Sequence, residues 1–327
     1  MTRYEDFVAS KLSRPAPDGL EPVGEPWPRL FPFQADLTRW ALRRGRSAIF
    51  ADTGLGKTSM ELTWAREVSA QTGGDVLILT PLAVAPQVVA EAVLLGDSVS
   101  FADKGPEPGV HVLNYDRLHR IDPSAYAGVV LDESSCLKHQ DSSTFSRLCE
   151  AFRDTPYRLA ATATPAPNDW TELGTHAEFL GVCTRAEMLS EFFCHDGGET
   201  QDWKLKGHAR GAFWRWVSSW AALIKRPSDL GYDDDRYALP PLEVVERVVA
   251  GSAVSEGALF VTVAETLQER RAARKASIPS RVAACVADVN AEPGESWVIW
   301  CDLNAEGDAL SAAMPDAVEV RGSDDPD

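Results

Sequence analysis

The stretch S-A-I-F-A-D-T-G-L-G-K-T-S-M, Ser47 to Met60, reads as a strand, a glycine-bearing loop and the start of a helix. Ala48 to Phe50 is a short apolar run expected as a buried strand, and Thr58 to Val68 continues as a helix. Between them Gly54 and Gly56 allow backbone angles that a side chain forbids. Successive N–H groups can therefore turn inward and hold a phosphate at the positive end of the helix. Lys57 then reaches the β and γ phosphates and the Thr58 hydroxyl is placed for a metal, so ATP and Mg²⁺ are the expected ligands.

Working outward, the 327 residues are too many for one average domain and suit two lobes or more. With 44% hydrophobic and 25% charged residues the composition is that of an ordinary globular protein. No apolar run approaches the length needed to cross a bilayer, and the start M-T-R-Y-E-D-F lacks a secretory pattern, so a cytoplasmic protein with no membrane partner is expected. The six cysteines, at 136, 149, 183, 194, 285 and 301, include no C-x-x-C pair and read as reduced thiols. A net charge of -17 excludes a protein that coats nucleic acid with a basic surface, while leaving room for a local basic cleft.

Residues 1–32 carry six prolines and read as an extended arm, with a helix expected only over Tyr4 to Leu12. Phe33 to Arg44 has helical spacing, with Leu37, Trp40 and Ala41 on one face. Beyond the loop, short apolar runs alternate with helical segments, the pattern of a parallel sheet covered on both faces. Strands are expected at Val76–Leu79, Val99–Phe101, Val110–Leu113, Val129–Leu131 and Arg158–Ala161. Ligands gather at the carboxyl ends of such strands. There V-V-L-D-E-S-S-C-L-K, Val129 to Lys138, delivers Asp132 to hold Mg²⁺ and Glu133 to orient and deprotonate an attacking water.

A-D-T-G-L-G-K-T, Ala51 to Thr58, resembles motif I of superfamily 2 helicases and translocases, with Ala51 where phosphate loops usually begin with glycine. Y-R-L-A-A-T-A-T-P-A-P-N-D-W-T-E-L, Tyr157 to Leu173, resembles motif III of the Swi/Snf-like branch, with Ala163 in place of a glycine. The chain is thus identified as resembling a Swi/Snf-like ATPase, related to DEAD/DEAH-box proteins, of phage or bacterial type.

This resemblance implies an α/β fold: a RecA-like first lobe with a parallel sheet, a helical insertion and an incomplete second RecA-like lobe. It implies an adenine-reading Gln34, and a loop of Asp52, Thr53, Gly54, Leu55, Gly56, Lys57 and Thr58 around ATP. Coupling falls to Ser135, Thr162 and Thr164; Ser135 stands where the branch has histidine. Thr80, Pro81, Asn114 and Tyr115 fall where the family grips a nucleic-acid backbone. The implied function is an ATP-hydrolysing motor that moves on double-stranded DNA.

The organisation expected is a proline-rich arm (1–32), a first RecA-like lobe (33–174), a helical insertion (175–225), a linker (226–242) and part of a second lobe (243–327). In the insertion, Phe213, Trp216, Val217, Trp220 and Ile224 share a helical face and read as core, with Trp214 an alternative base-stacking residue. Lys204, Lys206, His208 and Arg210 form a basic turn that can touch a phosphate backbone. Cys194, His195 and His208 invite a zinc reading, but a fourth ligand and paired spacing are lacking.

In the second lobe, Val244–Val249 and Ser296–Cys301 read as strands, and Glu256–Lys275 and Arg281–Val289 as helices. Nothing resembles motifs V and VI, so the chain alone is expected to bind ATP and hydrolyse it very poorly, the remainder of the lobe being cut away or supplied by another polypeptide. Rival readings are a strand-separating helicase or restriction-type motor, an ATP-binding regulatory or scaffold module without sustained turnover, and, more distantly, a nucleotide kinase.

Overall fold

The structure is a computed structural model and describes residues 19–104, 107–138, 142–195, 203–249 and 266–321. The helix expected over Tyr4 to Leu12, residues 196–202 of the expected insertion and the first part of the Glu256–Lys275 helix lie outside these residues. The chain divides into two compact units between Leu239 and Pro240.

The first unit begins with an arm that is bonded into the lobe. Glu67 accepts from Val23 N (2.9 Å), Gly24 N (2.8 Å) and Trp27 Nε1 (2.9 Å), so one buried carboxylate satisfies three donors of the arm. Helix α1 (Pro32–Arg44) starts with proline, whose fixed φ suits a first turn, and ends at Gly45 with φ 69°. Arg43 and Arg44 lie in its last turn, where cations complement the helix dipole.

Strand β1 (Arg46–Ala51) then leads through the glycine loop into α2 (Lys57–Thr72), and β2 (Asp75–Thr80) into α3 (Ala85–Leu95). The strands β3 (Val99–Phe101), β4 (Val110–Asn114), β5 (Tyr126–Leu131) and β6 (Tyr157–Ala161) follow, with α4 (Ser143–Ala151) before the last of them. Each of the five strands expected beyond the loop is present, lengthened by no more than three residues at either end.

The residues expected as a helical insertion belong to the same body. They form α5 (Leu173–Phe179), α6 (Arg185–Phe192), a hairpin of β7 (Phe193–His195) and β8 (Trp203–Leu205), α7 (Arg210–Ser218) and β9 (Ala221–Ile224). Strand β9 pairs parallel with β1, so the seven-stranded sheet runs β3-β4-β2-β5-β6-β1-β9, parallel throughout. One correction follows for the aromatic face: Phe213, Trp216 and Val217 are buried on α7, but Trp220 lies beyond its end and Ile224 is on β9. A core of Leu, Val and Phe covers one face of the sheet beneath α4 to α7, and α1, α2 and α3 cover the other. This is a RecA-like α/β lobe.

Residues 227–237, expected within the linker, pack back on the lobe: Tyr237 meets Phe33 edge-on at 5.5 Å and Phe31 at 5.9 Å. In the second unit α8 (Leu267–Ala276) is capped by Thr266, which exchanges bonds with Glu269, and is followed by α9 (Ile278–Ala291) and α10 (Asn304–Ala313). The two strands expected there do not form: residues 241–249 and 296–301 pair with no strand among the described residues. Val244 at 81% and Trp300 at 92% stand exposed, so the apolar runs that suggest strands have no sheet to join. Among the described residues no helix is long and apolar enough to cross a membrane.

Candidate nucleotide site

The glycine loop has the backbone its composition predicts. Gly54 has φ 79° and Gly56 φ 72°, both left-handed, and Gly56 is the residue from which α2 starts. Lys57 Nζ donates to Ala51 O (3.0 Å) and Asp52 O (3.4 Å), folding the cation back over the loop. Asp52 is exposed and its carboxylate accepts from Thr53 N at 2.7 Å, while its own N–H donates to Ile224 O on β9. Leu55 is buried and anchors the loop to the core; Thr58 is half-buried in the first turn of α2.

Gln34 is 4% exposed and braces this loop. Its Nε2 donates to Leu55 O (2.9 Å) and its Oε1 accepts from Phe31 N (2.9 Å), so the amide joins the arm to the phosphate loop. A Cβ on Gly56 would lie 2.3 Å from that Nε2, a contact only glycine permits without displacing Gln34.

The end of β5 brings the carboxylates beside the loop. Asp132 is buried and accepts from Thr80 Oγ1 at 2.7 Å; burial raises its pKa, and the Thr80 bond opposes that shift by favouring the ionised form. Glu133 takes φ 48°, a left-handed angle uncommon for a residue with a side chain, and its Oε2 accepts from Thr162 Oγ1 at 3.1 Å. Thr162 is fully buried at the end of β6 and its hydroxyl also accepts from Thr164 N (3.1 Å), tying the exposed Thr164 turn to the Glu133 carboxylate.

Three expectations need correction. Thr80 is fully buried and bonded to Asp132, so it supports the carboxylate and presents no surface to a nucleic acid. Asn114 is buried too, its Oδ1 capping the following turn by accepting from Arg117 N at 3.0 Å. Lys206 donates to Ser190 O (3.0 Å) and Glu191 O (2.8 Å) at the end of α6, a capping role that occupies its ammonium. Ser135 is half-buried, and its neighbour Ser134 is buried with its Oγ 3.1 Å from His176 Nε2.

The remaining expected nucleic-acid residues are scattered. Tyr115 directs its hydroxyl inward, donating to Asp132 O at 2.7 Å, and burial raises its pKa well above the usual phenol value. Pro81 is half-buried before a short 3₁₀ turn, while Lys204 and Arg210 are exposed on β8 and at the start of α7. Trp214 meets the exposed Trp170 edge-on at 5.0 Å and packs against the core. His195 stacks on Trp203 (3.9 Å), and no group of three or more His, Cys, Asp or Glu side chains among the described residues could hold a metal ion.

Sequence reasoning missed two buried groups at this site. His176, on α5, is fully buried, bonded to Ser134 and edge-on to Phe50 at 5.1 Å; burial pushes its pKa down to about 4, so the ring is neutral. Glu61, one turn into α2, is 1% exposed with no donor for either oxygen, and burial, followed by the field of Asp132, raises its pKa well above the carboxylate range. Neither had a local signal beyond a helical position.

No family model matches the chain, and no curated protein matches it. Among solved structures it is similar in fold to the Sulfolobus solfataricus SWI2/SNF2 ATPase core in complex with dsDNA, with a TM-score of 0.51 and 19% identity, covering 64% of this chain and 47% of that one. The Sulfolobus solfataricus SWI2/SNF2 ATPase core domain gives a TM-score of 0.49 at 19% identity, covering 68% and 50%. The UvsW helicase from bacteriophage T4 gives 0.40 at 16% identity, covering 55% and 66%. The chain spans about half the length of the SWI2/SNF2 cores.

Proposed function

We propose that this chain is the nucleotide-hydrolysing part of an ATP-driven motor that moves on double-stranded DNA. The observation that carries the reading is the meeting, at the carboxyl edge of one parallel sheet, of a left-handed glycine loop with Lys57, the Asp132–Glu133 pair and a Thr162 hydroxyl bonded to Glu133. The likeness of fold to a SWI2/SNF2 ATPase core agrees with it.

In this reading the N–H groups of residues 54–58 cradle the phosphates, and Lys57 exchanges its two carbonyl acceptors for phosphate oxygens. Thr58 and Asp132 would hold Mg²⁺, which when bound neutralises charge on the phosphates. The residues present suit such an ion: a hydroxyl, a carboxylate braced by Thr80, and in Glu61 a buried acceptor without a donor. Glu133 orients the attacking water and takes its proton, and the Thr162 hydroxyl holds the carboxylate in place. The chain from Thr162 through Thr164 carries a displacement of Glu133 to the exposed turn at residues 163–170. DNA then contacts exposed cations such as Lys204 and Arg210 through its phosphates, so affinity falls steeply with salt and varies little with sequence.

The test is ATP hydrolysis by the full chain, and by a version extended with a second lobe, with duplex, single-stranded or no DNA. Stimulation by duplex without strand release supports the translocase. Strand release would favour a helicase, and ATP binding without turnover in either version would favour a regulatory module.

A further inference from the structure

Two glutamates of α2 are equally buried and differently served. Glu67 has three donors at 2.8–2.9 Å, whereas both oxygens of Glu61 have none. A carboxyl sealed from water without a partner is costly, so its retention calls for a group that joins it in a working state. Its position indicates which. Glu61 lies three residues after Thr58 and four after Lys57, spacings that share one helix face, and the charges that act on it are Asp132, Lys57, Glu133 and Glu91. All but Glu91 belong to the nucleotide site described above.

Protein carboxylates do not converge here closely enough to grip a bare ion. That suits Mg²⁺ and Mn²⁺ in nucleotide sites, where the ion keeps several waters and takes one or two protein oxygens plus phosphates. Water on such an ion is a strong donor, and a buried acceptor behind the ligands is the type of residue that orients it.

We propose that Glu61 is a positioning residue of the divalent-cation site, an outer acceptor for the hydration shell of an ion held by Thr58 and Asp132. The inference rests on the nucleotide-site reading and deepens it: the site discriminates for a hydrated divalent ion through a residue of the phosphate-loop helix that touches neither nucleotide nor metal. Glu133 already accepts from Thr162, whereas both oxygens of the buried Glu61 have no donor.

The experiment titrates the full chain with Mn²⁺ in the presence of saturating ADP and follows the free-ion EPR signal. Wild type is compared with Glu61→Gln, which keeps the volume and replaces the carboxyl by an amide that cannot ionise, and with Asp132→Asn. Glu61→Gln is expected to weaken Mn²⁺ binding about 10- to 100-fold, the range for outer-shell partners of metal sites, while ADP affinity in EDTA stays unchanged. Wild-type Mn²⁺ affinity in Glu61→Gln, with loss in Asp132→Asn, would overturn the inference and leave the site reading standing. Unchanged affinity in both variants would overturn the site reading itself. Should Glu61→Gln fail to fold, Glu61→Asp carries the test: it keeps the carboxyl and retracts it by one methylene, so weaker Mn²⁺ binding supports the role and wild-type affinity refutes it.

Discussion

Replacing Gly56 by alanine is a sharp test of how the phosphate loop is built, because two separate costs can be read from its surroundings. A non-glycine residue at φ 72° carries a left-handed penalty of about 1–2 kcal/mol. The added Cβ would lie 2.3 Å from Gln34 Nε2, and the amide must leave, releasing its bonds to Leu55 O and from Phe31 N. At about 1 kcal/mol for each of two bonds, the total is about 3–4 kcal/mol. Gly54 is the internal comparison: its φ is 79° and no atom lies within 4 Å of where an added methyl would sit, so Gly54→Ala should cost only the conformational part, about 1–2 kcal/mol. In a Gln34→Ala background the Gly56→Ala cost should fall to that same level, a coupling of about 2 kcal/mol. Urea denaturation read by tryptophan fluorescence measures all four corners of this cycle, since eight of the ten tryptophans precede Leu239. Additivity within about 0.5 kcal/mol, or equal costs at Gly54 and Gly56, would refute the idea that Gln34 braces the loop.

Glu133→Gln should retain ATP binding and lose turnover by about 10²–10⁴-fold, the range for a general base, whereas Lys57→Ala should weaken nucleotide binding itself; equilibrium binding and phosphate release separate the two. His176 is neutral in the fold with a pKa of about 4 against 6.5 unfolded, so the unfolded state binds the extra proton and stability falls as pH drops from 6.5 toward 4. Between pH 6.5 and 5 that single ring removes about 2 kcal/mol, and His176→Gln should flatten this part of the denaturation profile; an unchanged slope would show that the ring is not buried neutral. Glu67→Ala strands three donors of the arm, and at about 1–3 kcal/mol for a buried donor left unpaired residues 19–27 should lose hydrogen-exchange protection before the sheet does.

Much of the lobe was legible because buried parallel strands write themselves as unbroken apolar runs. V-L-I-L at Val76–Leu79 and V-V-L at Val129–Leu131 could be recognised without any knowledge of their neighbours. Strand β9 was not legible, since A-A-L-I follows directly on the tryptophan spacing of α7 and the helical period runs through it. Its pairing with β1 is a fact about distant residues only. The nucleotide loop announced itself through glycine and lysine, but the support of Asp132 by Thr80 and of Ser134 by His176 joins residues 52 and 42 positions apart. The residues around Thr80 and Asn114 marked strand ends correctly and could not tell whether those side chains point to solvent or inward. Glu61 and Glu67 look alike on paper, and only the packing around α2 separates the served carboxylate from the unserved one.

The place of β9 bears on how the protein is made. Strand β1 carries the phosphate loop, yet one of its two neighbours is synthesised about 170 residues later, and Asp52 N at the mouth of the loop bonds to Ile224 O on that late strand. Closing so long a loop comes late in folding, because its entropy must be met before the pairing rewards it. On a ribosome the glycine loop therefore emerges early and waits, flanked on one side only, until Ala221–Ile224 has left the exit tunnel. Nucleotide competence should then arise in one late step, and a chain stalled before Ile224 should hold most of a sheet and no working phosphate site.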